Sequence, residues 1–172
     1  MSLSFVVLLI VIVFAAVVVC YRSVQVVRPQ TAVIVERLGR YHRTLAPGRT
    51  MIMPLVDHVR SRIDLREQVV HFPPHPIVLA DNTVVRIDWM VYFQVTDDRA
   101  ATYEIANLVM GIEQLTVTML RNIGADMDLE RMSASRSEIA IELRKQIEDV
   151  IHRWGVQVNR VDLKAIDPVD NP

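Results

Sequence analysis

The sequence has one cysteine, five glycines and few aromatic residues, and neither sign of charge dominates its 172 residues. The single cysteine, Cys20, excludes an internal disulfide, which suits a reducing compartment. The scarcity of glycine and the absence of low-complexity segments exclude long flexible linkers and point to a compact domain. Nineteen basic and twenty acidic residues give a net charge of −1. With no basic surplus and too few aromatics for a base-stacking platform, nucleic acid is not an expected partner.

The motifs of common enzymes are also missing. There is no Gly-x-Ser-x-Gly and no phosphate-binding Gly-rich loop followed by Lys-Ser/Thr. His71 and His75 are four apart, but Pro73, Pro74 and Pro76 forbid the helical turn that would align their rings on a metal. Asp126-Met127-Asp128-Leu129-Glu130 lacks the glycine and closing glutamate of a calcium loop and reads as a helix start. Ser133, Ser135 and Ser137 read as helix caps rather than nucleophiles. Asp64, Glu67, Asp81 and Asp88 fall on expected strands and turns, as solvated charges or partners for Arg62, Arg66 and Arg86. No catalytic residue, metal or cofactor is expected, and the chain is not expected to be an enzyme.

What the sequence does have is a long apolar run at its start. From Leu3 to Tyr21 there is no charge, and the run is apolar on every face. At 1.5 Å per residue it would give roughly 28 Å of helix, the thickness of a bilayer's hydrocarbon core. Met1 to Ser4 carry no basic side chain and no Ala-x-Ala precedes a plausible cut, which favours a retained anchor over a cleaved signal peptide. Arg22, Arg28, Arg37 and Arg40 follow the run. The positive-inside rule then predicts a single-pass protein of the cell membrane with its soluble domain in the cytoplasm. The expected organisation is an anchor over 1–23, one domain over 24–168 and a short tail over 169–172.

The remainder reads as an α+β domain: antiparallel strands, then packed helices, then a final strand. A short strand up to Val27 is followed by a turn at Arg28-Pro29 and a second strand ending at Leu38-Gly39. Tyr41 to Val56 reads as a loop broken by Pro47-Gly48 and Pro54. Val59 to Val70 reads as extended and ends at Phe72-Pro73-Pro74-His75-Pro76. Thr83 to Val95 alternates with a strict period of two and predicts a long strand with one packed face, hairpin-paired to Ile77–Leu79.

Asp97-Asp98 should cap a short helix. A second helix from Asn107 to about Ile123 should bury Leu108, Ile112, Leu115 and Met119 and end at Gly124. Ser135-Arg136-Ser137-Glu138 has the form of a capping box before a helix with Ile139, Leu143, Ile147, Val150, Ile151 and Trp154 on one face. Gly155 should stop that helix, and the final strand from Val156 should carry a bulge near Asn159-Arg160.

One stretch of the loop has a functional reading beside core filling. Met51, Ile52, Met53, Leu55 and Val56 are apolar residues that an anchored domain could turn to the lipid interface, and they are the candidate membrane-contact residues.

An ordered set of motifs runs through the chain. Glu36-Arg37-Leu38-Gly39-Arg40-Tyr41 is followed by Pro47-Gly48, Pro54-Leu55-Val56-Asp57, Asp64-Leu65-Arg66 and Pro73-Pro74. Asp81-Asn82 leads into Val91-Tyr92-Phe93-Gln94-Val95-Thr96-Asp97, and Leu120-Arg121-Asn122-Ile123-Gly124 and Asp162-Leu163-Lys164-Ala165-Ile166-Asp167-Pro168 complete the order. This resembles the stomatin/prohibitin/flotillin (SPFH, band 7) superfamily, in its stomatin-like bacterial branch, from about Val24 to Pro168.

The resemblance implies a non-catalytic, membrane-anchored scaffold. Such a scaffold self-associates, delimits membrane microdomains, and holds or restrains a membrane-bound protease or other membrane protein. The lipid bilayer and further copies of the chain are the implied partners. Two alternatives stand beside it: a monomeric, membrane-tethered lipid-binding or adaptor module and, more weakly, a membrane-tethered hydrolase. The family's long charged C-terminal helix is not seen before Pro172, and Pro168 and Pro172 do not favour one there. A closed cage is therefore not expected of this chain alone.

Overall fold

The computed structural model describes residues 10, 12–14, 18 and 23–168. The expected membrane anchor over 1–23 falls almost wholly outside the described residues. Ile10, Ile12 to Phe14 and Val18 are helical with exposed side chains, and among the described residues no helix is long and apolar enough to cross a membrane. Val169 to Pro172 also lie outside the described residues. The chain divides into two compact units, Met1–Asp64 and Leu65–Pro172.

The first unit is built from five short strands. β1 (Val24–Val27) pairs antiparallel with β4 (Gly48–Met51) as a two-stranded ribbon. β2 (Thr31–Arg37) lies between β3 (Arg40–Leu45) and β5 (Asp57–Asp64) in a three-stranded antiparallel sheet. Ala32, Val33, Ile34 and Val35 of β2 are all buried, as expected of a central strand with both faces covered. Val33 and Val35 join Val27, Leu45 and Ile52 in a small core, with Val59 packed against it.

The expected loop over 41–56 is corrected here: two strands occupy part of it. β3 shows four exposed residues in a row, so it carries no apolar alternation to read, and pairing with β2 is what makes it a strand.

The second unit is a longer antiparallel sheet with helices packed on it. Its strand order is β6 (Gln68–Val78), β7 (Val84–Val95), β8 (Val156–Pro168). Strict alternation in β7 puts Val85, Ile87, Trp89, Val91, Phe93 and Val95 on one fully buried face, as its sequence predicts. Asp97 caps α1 (Asp98–Tyr103) by accepting from the Ala100 amide, and Asn107 caps α2 (Leu108–Ala125) in the same way through Met110. Asp128 caps α3 (Leu129–Ala134), so the acidic cluster at 126–130 is a helix start.

Helix α4 (Arg136–Ile151) buries Ile139, Leu143, Ile147 and Ile151 and runs along β8, while α2 packs on β6. A 3₁₀ turn (His152–Trp154) ends at Gly155, whose φ of 68° is the left-handed cap that sequence predicts. A side chain at Gly155 would also collide with the Asp97 carbonyl oxygen.

Five further expectations are corrected by the structure. The proline stretch does not end β6. The strand continues through it by a bulge between Phe72 and His75, where missing amides do little harm on an edge strand. Phe72 and His75, on either side of the bulge, both lie against the Trp89 ring, with centroids 5.6 and 5.2 Å away. The extended segment expected over 59–70 is interrupted after Asp64, at the boundary between units.

Helix α2 buries Ile112, Thr116, Val117 and Leu120 rather than Leu108, Leu115 and Met119. Its Gly124 does not terminate it. A Cβ there would sit 2.9 Å from Ile77, so glycine allows the close approach of helix to strand. Ser135 precedes α4 but makes no side-chain capping bond, because it is at the same time the C-cap of α3. One of the two bulges in β8 is where expected: Tyr92 pairs with Arg160 and Phe93 with Val158, leaving Asn159 unpaired.

Candidate functional site

The candidate membrane-contact residues lie at one end of the first unit's sheet, and an ion pair shapes that end. Arg37 closes β2 and Asp57 opens β5, directly opposite each other. The guanidinium holds the carboxylate bidentately, Nε to Oδ1 at 2.7 Å and Nη2 to Oδ2 at 3.2 Å. Asp57 Oδ2 also accepts from the Met53 amide at 2.9 Å, and the Asp57 amide donates back to the Met53 carbonyl at 2.8 Å. The five residues from Met53 to Asp57 therefore form a closed loop with Pro54 inside it. The Arg37 guanidinium, seconded by the Met53 amide, lowers the Asp57 carboxyl from 3.8 to about 2, so it is ionised at any physiological pH.

The apolar side chains before and within the clamped loop differ in exposure. Leu55 is 86% exposed, Met51 67% and Met53 60%, while Ile52 is only 7% exposed and belongs to the core with Val27, Val33, Val35 and Leu45. Val56 is half-buried. Of the five candidates, three thus stand in solvent; Ile52 is reassigned to the core, so a substitution there would report on folding.

The structure adds a residue that sequence reasoning missed. Leu38 sits in the β2–β3 turn with φ 52° and 83% exposure, and its amide donates to the Val56 carbonyl at 3.4 Å. The available signal was a large aliphatic side chain beside Gly39, where the sequence places the end of a strand and a turn is expected. Leu38, Met53 and Leu55 so form an exposed apolar rim over the Arg37–Asp57 pair. Met51 continues it at the end of β4, where Arg43 donates to its carbonyl at 2.6 Å.

The residues weighed for other chemistry are scattered. Asp88 pairs with His71 at 2.5 Å across the wet face of β6 and β7. His75 instead donates through Nδ1 to the Pro73 carbonyl at 2.8 Å and places Nε2 3.5 Å from Glu113 of α2. The two histidines are thus held by different partners. Asp81 accepts from the Thr83 amide at 2.9 Å, which lowers its carboxyl below the usual range. Glu67 accepts from Asn159 at 2.7 Å. Among the described residues no group of three or more His, Cys, Asp or Glu side chains could hold a metal ion. Shallow depressions also occur in the second unit. One, of about 360 Å³, lies between α4 and the β8 bulge, and one, of about 490 Å³, lies beside Asp81, Asp128 and Glu130.

Comparison with known proteins shows what the chain is similar to. The SPFH domain / Band 7 family model matches residues 25–171. An uncharacterized protein of Mycobacterium tuberculosis is 47% identical over 162 residues, 94% of this chain and 42% of the relative. A stomatin homolog of Pyrococcus horikoshii is 27% identical over 162 residues, 94% of this chain and 59% of the relative. The mitochondrial stomatin-like protein 2 of Rattus norvegicus is 29% identical over 137 residues, 80% of this chain and 39% of the relative. The chain thus spans less than two thirds of the length of each of these relatives.

Proposed function

The chain belongs to the SPFH domain / Band 7 family, and from that premise we propose that it is a non-catalytic scaffold anchored in the cell membrane. Its apolar run from Leu3 to Tyr21 is the single-pass anchor, and the domain that follows lies on the cytoplasmic side. Neighbouring copies associate on the membrane, organise a microdomain, and hold or restrain a membrane protein such as a membrane-bound protease. The observation that carries the membrane-facing part of this reading is the rim of Leu38, Met51, Met53 and Leu55, exposed to solvent beside an ion-paired loop in the unit that contains the apolar run.

Crosslinking in native membranes followed by sizing tests the association. The expected result is a ladder of multiples of the chain. A single monomer band at every crosslinker concentration and expression level would leave the second reading, a monomeric lipid-binding or adaptor module, which the same exposed rim supports.

A further inference from the structure

Membrane contact leaves open which lipid the surface meets, and the distribution of charge bears on that. Met1–Asp64 carries eight arginines against three acidic residues, whereas Leu65–Pro172 carries eleven basic against seventeen acidic residues. The near-neutral total conceals one strongly positive unit and one negative unit. Within the positive unit Arg37 is paired with Asp57 and Arg60 with Glu36. Arg40 and Arg49 are exposed and have no ion pair among the described residues. Arg43 donates to a carbonyl, which leaves its charge unneutralised.

These three arginines flank the apolar rim. Arg40 opens β3 immediately after the Leu38-Gly39 turn. Arg43 reaches the Met51 carbonyl. Arg49 lies two residues before Met51 on β4 and directly opposite Val26 on β1, so Arg49, Met51 and Val26 share one face of the ribbon, and Val26 is exposed. Of the acidic side chains in these strands, Asp57 and Glu36 are paired with Arg37 and Arg60, and Asp64 lies at the far end of β5, opposite Thr31.

We infer that this surface is a dock for anionic phospholipid, with Leu38, Met51, Met53 and Leu55 in the bilayer interface and Arg40, Arg43 and Arg49 on the headgroup phosphates. The inference rests on the membrane-contact reading and specifies it. Apolar side chains at loop tips enter the headgroup and acyl boundary, and guanidinium groups match phosphate oxygens two at a time. Charge complementarity selects the occupant: a surface of four arginine-flanked apolar tips without a free carboxylate repels a basic partner and gains nothing special from a neutral lipid. Each arginine near an anionic surface strengthens the contact by roughly five-fold, an effect that salt screens.

The test uses the full chain with Cys20→Ser and a fluorophore on Leu55→Cys, reconstituted at one copy per nanodisc. Discs contain either phosphatidylcholine alone or phosphatidylcholine with phosphatidylglycerol, each with a trace of headgroup-labelled quencher. The expected result is stronger quenching in the anionic discs. Raising salt should reduce it, and Arg40→Gln with Arg49→Gln should shift the contact equilibrium by roughly 25-fold, two such factors combined.

Equal quenching in both discs, indifferent to salt and to the double variant, would overturn the anionic preference and leave membrane contact standing. No quenching in either disc would overturn both. Shielding of the probe only when several copies share a disc would assign the surface to a second copy of the chain and overturn the lipid dock.

Discussion

In the second unit the longest strand turns Val85, Ile87, Trp89, Val91, Phe93 and Val95 to one face, and every one of them is buried. In the first unit apolar residues of similar size at Leu38, Met51, Met53 and Leu55 stand in solvent, held there by hydrogen bonds and an ion pair. The charges differ as well: arginine predominates in the first unit and carboxylates in the second. Apolar side chains thus serve cohesion in one unit and remain available for contact in the other. What separates the two uses is local backbone geometry, a packed strand face in one and turns and a clamped loop in the other.

The comparison is broken most severely by removing its buried side. Trp89→Ala deletes the largest fully buried side chain of the second unit and should cost ~3–5 kcal/mol, read as a lowered denaturant midpoint. In the small core of the first unit, Ile52→Ala should cost ~2–3 kcal/mol by the same measurement, because Ile52 packs inward while its neighbours do not.

The clamp can be tested by acid. Because the folded Asp57 carboxyl lies near 2, below its ordinary value of 3.8, it stabilises the fold above about pH 4, and that contribution is lost as pH falls toward 2. Asp57→Asn should flatten the acid limb of stability in that window, measured as unfolding midpoints at a series of pH values. The smallest effect on stability should come from Leu55→Asp, within about 0.5 kcal/mol of the parent, since that side chain is exposed. The same substitution should nevertheless weaken contact with the membrane, which separates contact from cohesion.

Much of the second unit was legible in its sequence for physical reasons. β7 has one wet and one dry face, so its period of two survives in the residue order. The bulge at Asn159 shows as a phase change between Val158 and Val161. Less of the first unit was legible. β3 is a strand because of its partner, and Arg40, Tyr41, His42 and Arg43 carry no apolar pattern of their own.

The run Met51-Ile52-Met53 is apolar throughout, so its sequence cannot say that Ile52 faces inward and the methionines outward. Met51 and Ile52 take their directions from the pairing of β4 with β1, where the Ile52 amide donates to the Ser23 carbonyl, and Met53 is held by Asp57, which meets Arg37 only once β2 and β5 pair. The prolines of β6 misled in a different way: they stop a central strand, but this one is an edge strand that bulges around them.

The most direct measurement of the central claim places one spin label in each unit of the full chain in a bilayer. With Cys20→Ser, one sample carries the label at Leu55→Cys and another at Ile141→Cys, an exposed position of the second unit. Collision rates with oxygen, which concentrates in the bilayer, and with a water-soluble nickel complex then report where each site sits. The account predicts an oxygen-rich, nickel-poor environment at 55 and the reverse at 141. A label at 55 as open to the nickel complex as the one at 141 would contradict it.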